Sequence, residues 1–124
     1  MSDNTENTNE SPQETADEMR VALCASRHPI LDGYLPEVED SIFPHTVKNP
    51  LDFDAHNEHV DAWINENAHF LIESSNKLYI YVTGLTPVLT AFLHYYDIHM
   101  PESAMVFLMH YNRDTKDYVE QRWI

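Results

Sequence analysis

Two short stretches of this 124-residue chain carry side chains suited to holding an anion. The first is Ser26-Arg27-His28-Pro29 and the second is Thr83-Gly84-Leu85-Thr86-Pro87. Arg27 brings a fixed positive charge with a planar fork of donors. His28 brings a group that titrates near neutrality. Ser26, Thr83 and Thr86 add hydroxyls, and Gly84 lets backbone approach a ligand closely. Thr86 suits a helix N-cap and Pro87 the first helical position, so the second stretch ends in free backbone amides and the positive end of a helix dipole. Together these groups suit a phosphate. The same residues also serve as ordinary turn and cap residues, a role that requires no ligand.

Eight histidines is a high count. The densest cluster, Asp52-x-Asp54-x-His56-x-x-His59, has carboxylate and imidazole ligands of the kind that hold zinc or manganese. It lies at the start of an acid-rich helix and His69 is too far along to complete a set, so a solvated helix entrance is the favoured reading and no metal is assigned. His110, near the end of a strand, is placed with the ligand-binding residues, with Tyr111 and Arg113 as a wall beside it. The two glycines, Gly33 and Gly84, are too far apart for a phosphate-binding P-loop and too few for a dinucleotide fingerprint, and no Gly-x-Ser-x-Gly nucleophile turn occurs. Cys24 sits inside an apolar run and reads as a packed thiol.

The elements that must position these residues follow from hydrophobic periodicity. Arg20 to Ala25 is a nearly continuous apolar run, as in a buried strand. Residues 30–41 carry Gly33, Pro36 and several acids without a clear period, and Ser41 to Val47 reads as a short edge strand because of Pro44. A turn at Asn49–Asp54 leads into a helix with apolar residues at Val60, Trp63, Ile64, Ala68, Leu71 and Ile72, ending near Ser74–Asn76. Lys77 to Thr83 is the strongest strand, apolar on both alternating sets. A helix from Thr86 carries Val88, Ala91, Phe92, Tyr95 and Tyr96 and stops before Pro101. Ala104 to Tyr111 is a further strand, and Tyr118 to Trp123 pairs back on it as an antiparallel edge. This alternation predicts a small α/β domain: an open, mainly parallel sheet with flanking helices and an antiparallel C-terminal edge strand. In such a sheet ligands bind at the carboxyl ends of the strands, where both phosphate-suited stretches fall.

Seven basic and 21 acidic residues give a formal charge of −14. Residues 1–19 hold six acids and no base and read as a disordered acidic tail, leaving 20–124 as one domain. The acidity opposes duplex nucleic acid, although a small nucleotide held by backbone amides stays compatible with it. One cysteine allows no intrachain disulfide, and the longest apolar run is six residues, far below the ~20 needed to span a bilayer. A soluble cytoplasmic protein with no membrane contact is expected.

Taken together, the two turns resemble those of the CRISPR-associated ring nucleases, small Rossmann-like proteins. One such family ends its first strand in a Thr-Arg-His-Pro-Gly type of turn and opens a later helix with a Gly-Thr-Leu-Pro type of turn. The likeness covers about ten residues. It departs at Ile30, which follows the proline where the family has glycine, and in the order of the second turn. The resemblance implies antiviral defence, a homodimer and a cyclic oligoadenylate bound across the two-fold axis, with no metal or other cofactor. It implies attack by a ribose 2′-hydroxyl on the adjacent phosphorus, with Arg27 and His28 catalytic and Ser26, Thr83, Gly84, Thr86 and His110 binding. The competing expectation is a non-enzymatic acidic interaction protein, such as a phage or mobile-element factor that occupies a host protein. A third is a metal-dependent hydrolase built on Asp52, Asp54, His56 and His59.

Overall fold

The computed structural model describes residues 17–25, 30, 40–43, 47–83, 86–100 and 103–124. Residues 1–16 of the expected acidic tail lie outside the described residues, as do Ser26, Arg27, His28 and Pro29, the whole segment from 31 to 39, and Gly84 with Leu85. Along the chain run β1 (Glu18–Cys24), β2 (Ser41–Phe43), α1 (Phe53–Glu66), α2 (Ala68–Leu71), β3 (Lys77–Tyr81), α3 (Thr86–His99), β4 (Met105–Asn112) and β5 (Asp117–Arg122).

The strands form one five-stranded sheet in the order β2-β1-β3-β4-β5. The first four are parallel and β5 is antiparallel to β4. This is the small Rossmann-like α/β sheet with an antiparallel C-terminal edge that the alternation of elements predicts. No helix among the described residues is long and apolar enough to cross a membrane.

Register sets which residues share a face. Val21, Ile80 and Leu108 stand side by side across β1, β3 and β4, as do Ala22, Tyr81 and Met109 one residue later. The first row and its neighbours Leu23, Leu78 and Val106 pack against Val60, Trp63 and Ile64 of α1, Leu71 of α2, and Val88, Phe92 and Tyr96 of α3. The helical residues recur at intervals of three or four, so each helix turns one stripe to the sheet. Each such side chain, fully buried, contributes about 1.5–3 kcal/mol.

The second row belongs to a separate cluster of Ala22, Tyr79, Tyr81, Phe107 and Met109, closed by Ile30. All four residues from Leu78 to Tyr81 are buried, so β3 is covered on both faces. Both connections from β2 to β3 and from β3 to β4 pass over the helical face. β2 lies on the opposite side of β1 from β3 and β4. Ile30, the described residue within 26–39, is 4% exposed and packs in the second cluster.

Several boundaries differ from the sequence reading for identifiable reasons. β1 begins at Glu18 rather than Arg20 because Glu18 and Met19 pair with Lys77 and Leu78. The Asp17 amide also donates to Asn76 Oδ1 at 3.1 Å. The helix expected to run through Ile72 breaks at Asn67, whose Nδ2 donates to Trp63 O at 2.9 Å and whose backbone N–H turns back to Trp63 O and Ile64 O. The side chain competes for the helix's own carbonyls, as asparagine does at helix ends. The helix starts in the expected turn, and Asp52 is its N-cap, accepting from the Ala55 amide at 3.2 Å. His56 is not part of a solvated entrance: it is 2% exposed, and its Nε2 lies 2.7 Å from Pro50 O. A carbonyl only accepts, so Nε2 carries the proton.

Tyr96 is the largest anomaly of the core. Its side chain is fully buried, and its Oη is the buried side-chain oxygen or nitrogen without a hydrogen-bond partner among the described residues. Burial pushes the phenol above its ordinary value of 10.0, with the nearby Ser103 hydroxyl acting the other way. Ser103 donates to Ala104 O at 3.1 Å and makes no hydrogen bond to the phenol. Because the folded state holds this proton more tightly than the unfolded chain, its contribution is complete below pH 10 and falls away as pH rises further. Tyr96→Phe is expected to leave stability equal or higher in urea unfolding at pH 7, since an unpaired buried hydroxyl is removed. It should also reduce the loss of stability between pH 10 and 11. A loss of more than about 1 kcal/mol at pH 7 would reveal a hidden partner for the hydroxyl.

Candidate functional site

A parallel sheet whose order runs outward in both directions from β1 has its switch point between β1 and β3. Strand β2 lies on one side of β1 and β3 on the other. Connections leave the carboxyl ends there in opposite directions and open a crevice in which ligands bind in open α/β sheets. The carboxyl ends of β1 and β3 are locked together by one side chain. Thr83 Oγ1 accepts from the Cys24 amide at 3.1 Å and donates to Cys24 O at 2.8 Å. On the other side, the Ala25 amide donates to Phe43 O at 3.1 Å and ties the end of β1 to the end of β2. β4 joins the same rim, because the Val82 amide donates to Met109 O at 3.0 Å.

Thr83 therefore stands at the expected rim but in a different role. A hydroxyl has one proton, and Thr83 gives it to Cys24 O. What it can still offer is a lone pair, which repels a phosphate oxygen. Its work is to fix the spacing of two strand ends.

Thr86 is exposed at the start of α3. It borders a groove of about 490 Å³ with Phe53 and Asn57 of α1 and with Pro87, Thr90, Ala91 and His94 of α3. Thr86 thus borders the space between two helices. As in any α-helix, the first-turn amides of the 14-residue α3 have no partner within the helix itself.

His110 lies one residue beyond the Tyr81–Met109 pair, half-buried, at the rim end of β4. Its Nε2 is 2.7 Å from Gln121 Oε1 of β5. An amide oxygen only accepts, so Nε2–H donates and Nδ1 is left as the acceptor. Tyr111 packs edge-on against Tyr118 with 5.3 Å between centroids, and Arg113 is exposed in the β4–β5 turn. Ser26, Arg27, His28 and Gly84, the other expected site residues, lie outside the described residues. Their neighbours in sequence, Ala25 and Thr83, belong to the two strand ends that Thr83 joins.

Asp52, Asp54, His56 and His59 do not converge as ligands. The Nε2 proton of His56 is committed to Pro50 O, and Asp52 Oδ1 caps α1. No group of three or more such side chains is placed to hold a metal ion among the described residues. Asp52, His56 and His59 instead line a cavity of about 310 Å³ at the carboxyl end of β2, together with Phe43, Val47, Lys48, Asn49 and Ala55. Periodicity alone does not find this cavity. Its signal in the sequence is a phenylalanine closing a short strand, followed within 16 residues by two histidines three apart.

Replacing Thr83 with valine keeps the shape and removes the hydroxyl. The Cys24 amide and carbonyl then lose a partner, and a stability loss of about 1–3 kcal/mol in urea unfolding is expected. Thr83→Ser, which keeps the oxygen, is expected to retain most of it. Equal losses in both variants would assign the effect to packing of the methyl group. Comparison with known protein families, curated proteins and solved structures finds no match to this chain.

Proposed function

We propose that this protein binds a small nucleotide at the carboxyl rim of its sheet and acts there as a ring nuclease on cyclic oligoadenylate. The observation that carries the reading is the Thr83 lock. It holds the ends of β1 and β3 together, so the Arg27-His28 turn and the Gly84 turn depart from adjacent strand ends at the switch point. The resemblance of those turns supplies the substrate class and the homodimer.

The chemistry needs little beyond placement. A ribose 2′-oxygen attacks the neighbouring phosphorus, the bond to the 5′-oxygen breaks, and the products are a 2′,3′-cyclic phosphate and a 5′-hydroxyl. Holding the 2′-oxygen in line supplies most of the acceleration. Arg27 opposes the charge that builds on the phosphorane oxygens, and the first-turn amides of α3 act in the same direction. His28 takes the 2′-proton as base or returns one to the leaving oxygen as acid. His110, held through Nε2 by Gln121, is a second imidazole on the same rim. No metal and no other cofactor has a part in this reading.

A second reading has its own observations. The charge of −14, the exposed Leu51 (65%) and the exposed Phe53 (54%), which borders the α1–α3 groove, suit an acidic interaction protein without catalysis.

Cyclic oligoadenylate is expected to raise the melting temperature, because a ligand bound only by the folded state stabilises it. Incubation in EDTA should yield linear products, and Arg27→Ala should slow that step at least tenfold with the fold intact by circular dichroism. Unchanged melting across ring sizes, together with intact ligand, rejects the nucleotide reading. Capture of one stoichiometric protein partner by the same material would then favour the interaction protein.

A further inference from the structure

The groove between the two long helices is the larger of the two cavities described above. α1 lies between β2 and β3 in the chain, and α3 between β3 and β4. All three strands belong to the parallel part of the sheet, so both helices run the same way. The groove holds about 490 Å³, with Phe53 and Asn57 of α1 on one wall and Pro87, Thr90, Ala91 and His94 of α3 on the other. Phe53 and Asn57 lead at four-residue steps to Asp61, and Pro87 and Ala91 lead in the same way to Tyr95. The Tyr95 hydroxyl donates to Asp61 Oδ1 at 2.9 Å and bridges the helices at that end. From Phe53 to this bridge is two helical turns, about 12 Å. Phe53 is 54% exposed, and an aromatic ring left in water beside an apolar groove gains by being covered.

Charge selects what covers it. None of the seven Lys and Arg residues lies in α1, α2 or α3. The helices carry Asp54, Glu58, Asp61, Glu66 and Asp97 instead, all exposed. Asp54 follows Phe53 and Glu58 follows Asn57, so acids run along the α1 side of the groove. A second copy of this chain would bring the same acids to the contact. Residues 1–16 hold four acids and no base, so the chain's own N-terminal segment is repelled as well. An anionic lipid surface is repelled for the same reason. The occupant that fits is basic.

Backbone chemistry narrows it further. Helix side chains form both walls, so a strand laid between them finds no row of backbone groups to pair with. A helix satisfies its own backbone and needs only an apolar stripe. We propose that the α1–α3 groove docks a basic amphipathic helix of a partner protein. Its apolar side chains, spaced i, i+3 or i+4, and i+7, enter the two-turn groove, and its flanking Lys or Arg residues meet Asp54, Glu58 and Asp61. The proposal rests on the interaction reading and requires nothing of the nucleotide rim.

The probe is a synthetic peptide of leucine and lysine with leucines at i, i+3, i+4 and i+7, titrated calorimetrically into the full chain. Its controls are a scrambled order of the same composition and the same pattern with glutamate in place of lysine. The patterned lysine peptide is expected to bind roughly tenfold tighter than either control, and to weaken as salt is raised. Thr90 is exposed, so Thr90→Lys leaves the fold intact while setting a positive charge and a longer side chain in the groove. It should weaken the patterned peptide about tenfold. Asp54→Asn combined with Glu58→Gln should also weaken it, with the apolar walls in place. Equal affinity for the scrambled peptide, or undiminished affinity in Thr90→Lys, overturns the proposal. Failure of the patterned peptide in a chain that still captures one stoichiometric protein refutes the groove and leaves the interaction reading standing. Self-association that Thr90→Lys abolishes, with no peptide bound, overturns it in favour of a second copy.

Discussion

A single hydroxyl holds together the part of the sheet on which the site depends. Parallel strands exchange backbone hydrogen bonds along their length, but at their carboxyl ends the chains part and the ladder stops. Thr83 replaces the missing rung, acting as donor and acceptor to one residue, Cys24. Loss of these two bonds at a part-buried strand end would cost stability at the crevice itself. Because the lock sits where β1 has neighbours on both sides, it sets the distance between two strand ends 59 residues apart in the chain. The same economy limits Thr83: a group that completes the scaffold has no proton left to give a ligand.

Packing reinforces this arrangement from both sides. The helical face is a continuous apolar layer from Val21 to Leu108 under α1 and α3, and the two helices are joined by Tyr95, whose hydroxyl donates to Asp61 Oδ1 at 2.9 Å. The opposite face is built from rings. Tyr79 stacks on Phe107 with 5.0 Å between centroids, and Arg20 lies 4.0 Å from the centre of the Tyr79 ring while donating to Tyr81 Oη at 2.8 Å. Glu18 holds the same guanidinium at 3.5 Å. Burial, and the nearby Glu18 and Glu120 carboxylates, hold the Tyr79 phenol above its ordinary range, with Arg20 opposing them. A rigid two-sided sheet of this kind lets short loops at its rim be positioned by strands rather than by their own contacts.

Much of the fold was legible from periodicity. Runs such as Leu78 to Val82 and Ala104 to Met109 are apolar on both alternating sets, as strands covered on two faces require, and Thr86-Pro87 marked a helix start. Boundaries were less visible where side chains bond the backbone: Asn67 ends α1 with its own amide, a contact that no hydrophobic period encodes. The site was only partly legible. That Thr83 would stand at a strand end followed from the sequence, but the partner of its hydroxyl did not, because Cys24 is 59 residues away. The cluster around Asp52 drew attention for metal chemistry through its residue types. Three-dimensional placement turned it into a cavity wall instead, since the buried imidazole of His56 is held by Pro50.

The last strand has a consequence of another kind. β5 is the outer strand of the sheet on the C-terminal side, and nearly all its residues are exposed. Such a strand invites unrelated chains to add themselves, yet this one is awkward to extend. Trp123 and Ile124 both turn their amides to Val106 O, a bulge in which two residues oppose one. Lys116, at φ 60°, begins the strand from a left-handed turn, and Glu120 and Arg122 put opposite charges on its surface. Kinked at one end, tightly turned at the other and charged between, this border resists lateral growth of the sheet into fibres. Lateral contacts between copies of the chain are thereby discouraged along this border.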